Sequence, residues 1–200
     1  MRLFQGRQRT NPRRVIVYLA EKGIQMERVE VAPGDIKSER FLAMNPVGRI
    51  PVLELDDGTY LSESAAIMEY LEELYPDPPM IGTRPEQRAY VRALERIGND
   101  LIVRTGVWLS QSHVGVSAST AAQPAVAAAL RPFVDELLLG LEKHIDAKPF
   151  LAGSTPTIAD CTLFPLFQTC RVRFGLPFGK EYRRLDAWYA RFEARPSAAF

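Results

Sequence analysis

The chain has 200 residues, 46% of them hydrophobic and 24% charged. That is room for one large domain or two small ones and enough apolar material for a real core, so intrinsic disorder is excluded. Lysines and arginines number 25 against 24 acids, and a net charge of +1 excludes nucleic-acid binding by bulk charge. No apolar run approaches the roughly 18 residues a bilayer span needs, and residues 1–20 show no apolar signal region. With only Cys161 and Cys170 there is no disulfide framework. The expectation is a soluble, cytoplasmic protein with neither nucleic acid nor membrane as partner.

Residues 1–5 form a short, partly apolar strand. Thr10-Asn11-Pro12 reads as a helix start, with Asn11 as N-cap and Pro12 at the first helical position, where its missing donor costs nothing. Val15, Ile16, Leu19 and Ala20 recur at helical spacing, and Gly23 ends the helix. Residues 26–31 predict a second strand and 38–44 a short helix carrying Phe41 and Leu42. Residues 51–55 and 59–61, joined by Asp57-Gly58, predict a hairpin. Residues 62–75 then predict a helix that buries Ala65, Ile67, Met68 and Leu71. The order is β-α-β-α-β-β-α.

Pro76-Asp77-Pro78-Pro79 cannot continue a helix and marks a linker reaching to about Pro85. Beyond it the patterns are helical: residues 86–114 with interruptions at Gly98 and Gly106, residues 125–145 with Pro132 near the start, then 157–170 and 182–193. Residues 115–123 read as a loop. The fold class is therefore α+β, an α/β domain over 1–77 followed by an all-helical domain over 86–200.

With these elements in place, the sequence resembles the soluble glutathione transferase superfamily. The resemblance rests on Pro12-Arg13-Arg14-Val15, Leu19 to Gly23, Asn45-Pro46-Val47-Gly48-Arg49-Ile50-Pro51-Val52-Leu53, Asp56-Asp57-Gly58, Ser62-Glu63-Ser64-Ala65-Ala66-Ile67, Tyr70-Leu71 and Thr157-Ile158-Ala159-Asp160. It implies a thioredoxin-like first domain that binds glutathione as co-substrate, with no metal. The helical domain would supply the second-substrate site and part of a homodimer interface, formed by the helices over 62–75 and 86–114.

By resemblance, Pro51 is a cis proline, and Ile50 then pairs its backbone with the cysteinyl part of glutathione, like an added strand. The alternative is an ordinary trans proline on an edge strand. Glu63 and Ser64 open a helix, whose free N–H groups suit the γ-glutamyl carboxylate, although a serine cap is compatible with the same residues. Arg49 and Lys37 are candidates for the glycyl carboxylate. Thr157 and Asp160 form a capping box and are assigned to folding.

Glutathione chemistry needs a thiolate, and a thiol of pKa about 8.5 is only a few per cent ionised at pH 7. Lowering it by about two units requires about 2.7 kcal/mol, within reach of one hydrogen bond to a charged sulfur plus a helix N-terminus. The Tyr, Ser or Cys donor of many superfamily members is missing: no Tyr precedes Tyr18, no Ser precedes Ser38 and no Cys precedes Cys161. Thr10 and Asn11 occupy the turn, as in some bacterial members, and either can donate. Alternatively, Asn11 only caps and Thr10 only fills the turn.

Arg2, Arg7, Arg9, Arg13 and Arg14 precede the first acid, Glu21. They make either a positive entrance or a solvated surface. Trp108, Leu109 and Ser112 are candidate walls of the second-substrate site. His113 and His144 lack metal-ligand spacing, and Cys161 and Cys170 read as free and buried. Two functions fit: an enzyme directing a glutathione thiolate at an electrophile, peroxide or disulfide, or a glutathione-binding or protein-interaction module without turnover. Isomerisation of a maleyl-type substrate lacks the Ser-Ser-Cys signature associated with it.

Overall fold

The computed structural model describes residues 1–6, 9–112 and 122–199. Strand β1 (Arg2–Gln5) lies parallel to β2 (Glu27–Glu30) and antiparallel to β3 (Val52–Glu54), and β3 pairs antiparallel with β4 (Tyr60–Ser62). The mixed sheet has the order β2-β1-β3-β4. A parallel pair needs a crossover, which helix α1 (Thr10–Lys22) supplies. Because side chains alternate along a strand, Leu3 and Leu53 face the main core while Phe4 and Val52 face a smaller one. Helix α2 (Glu39–Met44) closes that smaller core with Phe41, and its N-cap Ser38 accepts the Phe41 N–H. Helix α3 (Ser64–Leu74) covers the main-core side with Ile67, Met68 and Leu71.

The helical region comprises α4 (Pro85–Ser112), α5 (Pro124–Ile145), α6 (Ile158–Gln168) and α7 (Arg183–Glu193). Every residue of α6 is buried, so it is the central post of this region. Phe164 and Phe167 stack with Tyr189 of α7 at ring separations of 5.4 and 6.2 Å. Asp160 is wholly buried and accepts from the backbone N–H groups of Leu151 (2.9 Å) and Thr157 (2.8 Å). The Thr157 hydroxyl (3.0 Å) and Trp188 Nε1 (2.8 Å) donate to it as well. One carboxylate thus ties the α6 cap to α7 and to the loop before it. Burial raises its pKa, and these four donors oppose the rise.

Several expectations need correction. The first helix starts at Thr10, with Arg9 as an extended N-cap and no side-chain cap bond, so Asn11 is not the cap. Pro12 falls in the first turn, where backbone N–H groups have no intrahelical partner in any case. Helix α4 runs unbroken through Gly98 and Gly106. A Cβ on Gly98 would stand 3.3 Å from Thr162 Cγ2, so this glycine lets α4 and α6 approach closely, offsetting its weak helix propensity of about 1 kcal/mol. Ser62 belongs to β4, α3 opens at Ser64, and neither serine caps it. His113 and Arg7 lie outside the described residues, as do residues 113–121 of the expected loop and helix end.

The largest correction concerns Arg13 and Arg14, which are buried rather than solvated. Arg14, 2% exposed, bonds Glu95 and Asn99 of α4 (3.0 Å to Asn99 Oδ1) and Thr162 of α6 (2.9 Å). Burial holds its pKa below the ordinary arginine value against the pull of Glu95 and Glu63. Arg13 donates to Gln168 Oε1 (2.7 Å) and to the carbonyls of Ala198 (2.9 Å) and Ala199 (2.6 Å). One turn on, Tyr18 donates to Glu72 (2.8 Å), and Lys22 pairs with Glu72 (2.9 Å) and with the Pro78 carbonyl (2.7 Å). Glu72 also accepts from the Met80 and Ile81 amides, fixing the linker. Glu21 takes a bidentate pair from Arg195 at 2.6 and 2.7 Å and a bond from Ser197.

Removing one member of a buried ion pair strands the other. Arg14→Ala is therefore expected to destabilise the protein by about 3–5 kcal/mol, read as a lower urea midpoint, with much of the loss recovered in an Arg14→Met/Glu95→Gln double variant. Cys161 and Cys170 are buried, which pushes the Cys161 thiol well up and Cys170 to about 12. A thiol raised in the folded state keeps its proton where the unfolded chain loses it, so stability is intact below about pH 8.5 and falls as pH rises beyond it, by up to about 1.4 kcal/mol per pH unit for each thiol. Denaturation midpoints between pH 8 and 10 should show this slope, and Cys170→Ala should reduce it.

Candidate active site

A cleft of about 300 Å³ opens where the amino end of α1 meets the helical region. One wall holds Arg9, Thr10, Asn11, Pro12 and Ile50, and the other holds Ile102, Gly106 and Leu109 of α4 with Leu166, Thr169, Arg173 and Phe174. The first three residues of the second wall recur at helical spacing, so α4 presents one stripe to the cleft. After α6 the chain widens into a π turn over Thr169–Arg173, which gives the cleft Thr169 at its start and Arg173 at its end. The Thr10 and Thr169 hydroxyls are 3.2 Å apart, within hydrogen-bond distance and with either able to donate.

Thr10 is the first residue of α1, so its side chain stands beside the N–H groups that the first helical turn leaves free. Asn11 is exposed and not used as a cap. The Ile50–Pro51 peptide bond is cis. The β1–β3 ladder ends at the Phe4–Val52 pair, short of Ile50, whose backbone thus lies at the mouth of the sheet.

The other candidates are placed differently. Glu63, exposed, and Ser64, 4% exposed, do not line the cleft. Glu63 has φ +70°, a conformation costing about 1–3 kcal/mol in a non-glycine residue, and such strain concentrates at functional sites. Arg49 is exposed, and Lys37 donates to the Val47 carbonyl at 3.2 Å; neither lines the cleft. Trp108 lies under the Arg131 guanidinium at 5.3 Å, and Ser112 is the last described residue of α4; both are absent from the lining. Of the amino-terminal arginines, Arg9 lines the cleft, Arg2 pairs with Glu54 across the sheet, and Arg13 and Arg14 are buried.

His144 is exposed and tilts against Tyr90 at 6.4 Å. Among the described residues no cluster of His, Cys, Asp and Glu could hold a metal ion. None of them forms a helix long and apolar enough to cross a membrane. Sequence reasoning missed Thr169, Arg173 and Phe174, because a π turn leaves no periodic mark in sequence. Gly106, which from the sequence reads as a helix interruption, is an open position on the cleft wall within an unbroken α4.

Residues 10–79 match the glutathione S-transferase N-terminal domain, and residues 120–191 match the C-terminal domain. Glutathione S-transferase 2 of Saccharomyces cerevisiae is 31% identical over 195 residues, covering 93% of this chain and 82% of the relative. The chain belongs to the glutathione S-transferase superfamily. Maleylacetoacetate isomerase of Pseudomonas aeruginosa is 30% identical, covering 94% of this chain and 86% of that protein. The crystal structure of a glutathione S-transferase domain-containing protein from Marinobacter aquaeolei superposes with a TM-score of 0.87 at 29% identity, each chain covered in full.

Proposed function

We propose that the chain is a cytoplasmic, homodimeric glutathione transferase in which the Thr10 hydroxyl holds the glutathione sulfur as a thiolate. The observation that carries this reading is the position of Thr10, first in α1, lining the cleft and bonded at 3.2 Å to a second hydroxyl. Glutathione would lie along the first domain, its cysteinyl backbone against Ile50 and its γ-glutamyl end at Glu63 and Ser64. Arg49 and Lys37 would take the glycyl carboxylate. The second substrate, an electrophile, peroxide or disulfide, enters from the α4 and α6 side.

A threonine has one O–H and two acceptor lone pairs. If Thr10 donates to the sulfur, it has no proton left for Thr169, so Thr169 must donate to Thr10. Such a chain polarises the bond that faces the thiolate. If Thr10 instead donates to Thr169, only the Asn11 amide is left for the sulfur. Replacing the side chain that faces the thiolate is therefore expected to raise the bound thiol's pKa by about one to two units, from the loss of about 1.5–3 kcal/mol.

The test is a pH titration of thiolate ultraviolet absorbance with glutathione bound. Thr10→Val should raise the thiol pKa, Thr10→Ser should restore it, and Asn11→Ala should leave it near wild type. The opposite pattern assigns the sulfur to Asn11. An unshifted thiol in the wild-type protein together with tight glutathione binding would make the chain a binding module.

Support for the dimer comes from exposed apolar side chains on the helices expected at the two-fold. Leu74 and Tyr75 lie at the end of α3 and Val103 and Val107 on α4; Phe133 of α5, outside those two helices, lies beside the α4 valines. Val103 and Phe133 are 58% and 54% exposed and, with Val107, Leu130 and Arg104, line a mostly apolar groove. Such patches mark protein contacts. Val107→Glu is expected to shift the protein from dimer to monomer in light scattering; a wild-type monomer would refute the assembly.

A further inference from the structure

We infer that a second cavity, sharing no lining residue with the cleft, binds a phosphate group carried by a small molecule. This cavity, of about 320 Å³, lies where the linker and the first turns of α4 face the loop before α6. The inference is independent of the transferase reading, which makes no use of this part of the molecule.

The loop supplies backbone donors in succession. The N–H groups of Ala152, Gly153, Ser154 and Thr155 meet no acceptor among the described residues, whereas those of Leu151 and Thr157, at either end of this run, donate to Asp160. The capping box of Thr157 and Asp160 already serves the start of α6. Gln87 Oε1 serves the end of the linker, accepting from the Thr83 and Arg84 N–H groups at 3.2 Å each. The free donors therefore belong to the loop and not to a helix end. Consecutive N–H groups of this kind form a concavity suited to an anion.

Side chains add donors of the same sense. The Ser154 and Thr155 hydroxyls and the Gln87 amide NH2 have no acceptor among the described residues, and all three residues line the cavity. Tyr90 lines it too, and Lys148 donates to the Tyr90 oxygen at 3.2 Å with its ammonium 5.3 Å from the ring centroid. The phenol keeps its own proton to donate, and a positive charge stands behind it. No carboxylate lines the cavity, although the chain as a whole has 24 acids against 25 bases.

The supply of donors selects the anion. A carboxylate has two oxygens, whereas a phosphate monoester presents three strong acceptor oxygens and more than one negative charge at pH 7. Pro79, Val91 and Ala152 give the cavity an apolar side, and its volume leaves room for a carbon body beyond the phosphate.

Calorimetry in a phosphate-free buffer with phenyl phosphate, inorganic phosphate and benzoate tests the inference. Phenyl phosphate is expected to bind the wild-type protein about tenfold more tightly than benzoate. A Cβ at Gly153 would meet nothing within 4 Å, so a side chain fits there and its charge can be varied alone. Gly153→Asp sets a carboxylate at the cavity and should abolish binding, while Gly153→Asn should keep most of it. Lys148→Met, in a different segment, should weaken phenyl phosphate about threefold to tenfold and flatten its salt dependence. Inorganic phosphate that binds as tightly as the ester assigns the cavity to free phosphate, and weaker binding assigns it to a monoester. Benzoate binding as tightly as phenyl phosphate, unchanged affinity in Gly153→Asp, or no binding of either phosphate compound would overturn the inference. So would displacement of phenyl phosphate by glutathione, which would place the phosphate in the cleft.

Discussion

Helix α1 holds the two halves of this molecule in register, and it does so with charges. Arg14, Tyr18 and Lys22 recur every fourth residue and form one stripe that reaches α4, α6, α3 and the linker in turn. Arg13 and Glu21 form a second stripe, to Gln168 and the carboxy-terminal segment. Between them Val15 and Leu19 fill the main core. A helix buried on nearly every side would slide or rotate readily if only apolar contacts held it, because those are non-directional. Buried hydrogen-bonded charges penalise any displacement, since each would leave a group unpaired in a low dielectric. Here they act on orientation.

The cleft follows from that constraint. Its floor is the first turn of α1, and its far wall comes from α4 and the π turn after α6, the elements that Arg14 and Arg13 grip through Glu95, Asn99, Thr162 and Gln168. The Thr10–Thr169 contact spans the same seam at its open end. Anchors a few residues along one helix thus set the spacing of groups contributed by segments 159 positions apart in sequence. Gly98 assists by letting α4 close on α6. The groups at the mouth and the packing behind them are one arrangement.

Legibility in the sequence followed a physical rule. The strands, the Asp57-Gly58 turn, the linker prolines and the Thr157–Asp160 cap depend on neighbours a few residues away, and they were readable. Thr10, Asn11 and Ile50 could be singled out because their segments lie in a motif-dense domain. Arg13 and Arg14 were misjudged because a charged residue near a helix start is ordinarily solvated, and only contacts with α6 and residues 198–199 reveal otherwise. Gly98 and Gly106 were misread for the same reason: local propensity knows nothing of a neighbouring helix. Thr169, Arg173 and Phe174 follow an apolar helix with no periodic cue.

By itself the sequence determined the order of elements, the two-part architecture and the family, because periodicity, turn residues and short motifs are local properties that the chain carries before it folds. Only the tertiary structure decided which side chains share the cleft, which arginines are buried among packed helices and which line the cleft. Those outcomes depend on distances between segments far apart in the chain, and such distances exist only once the helices have packed.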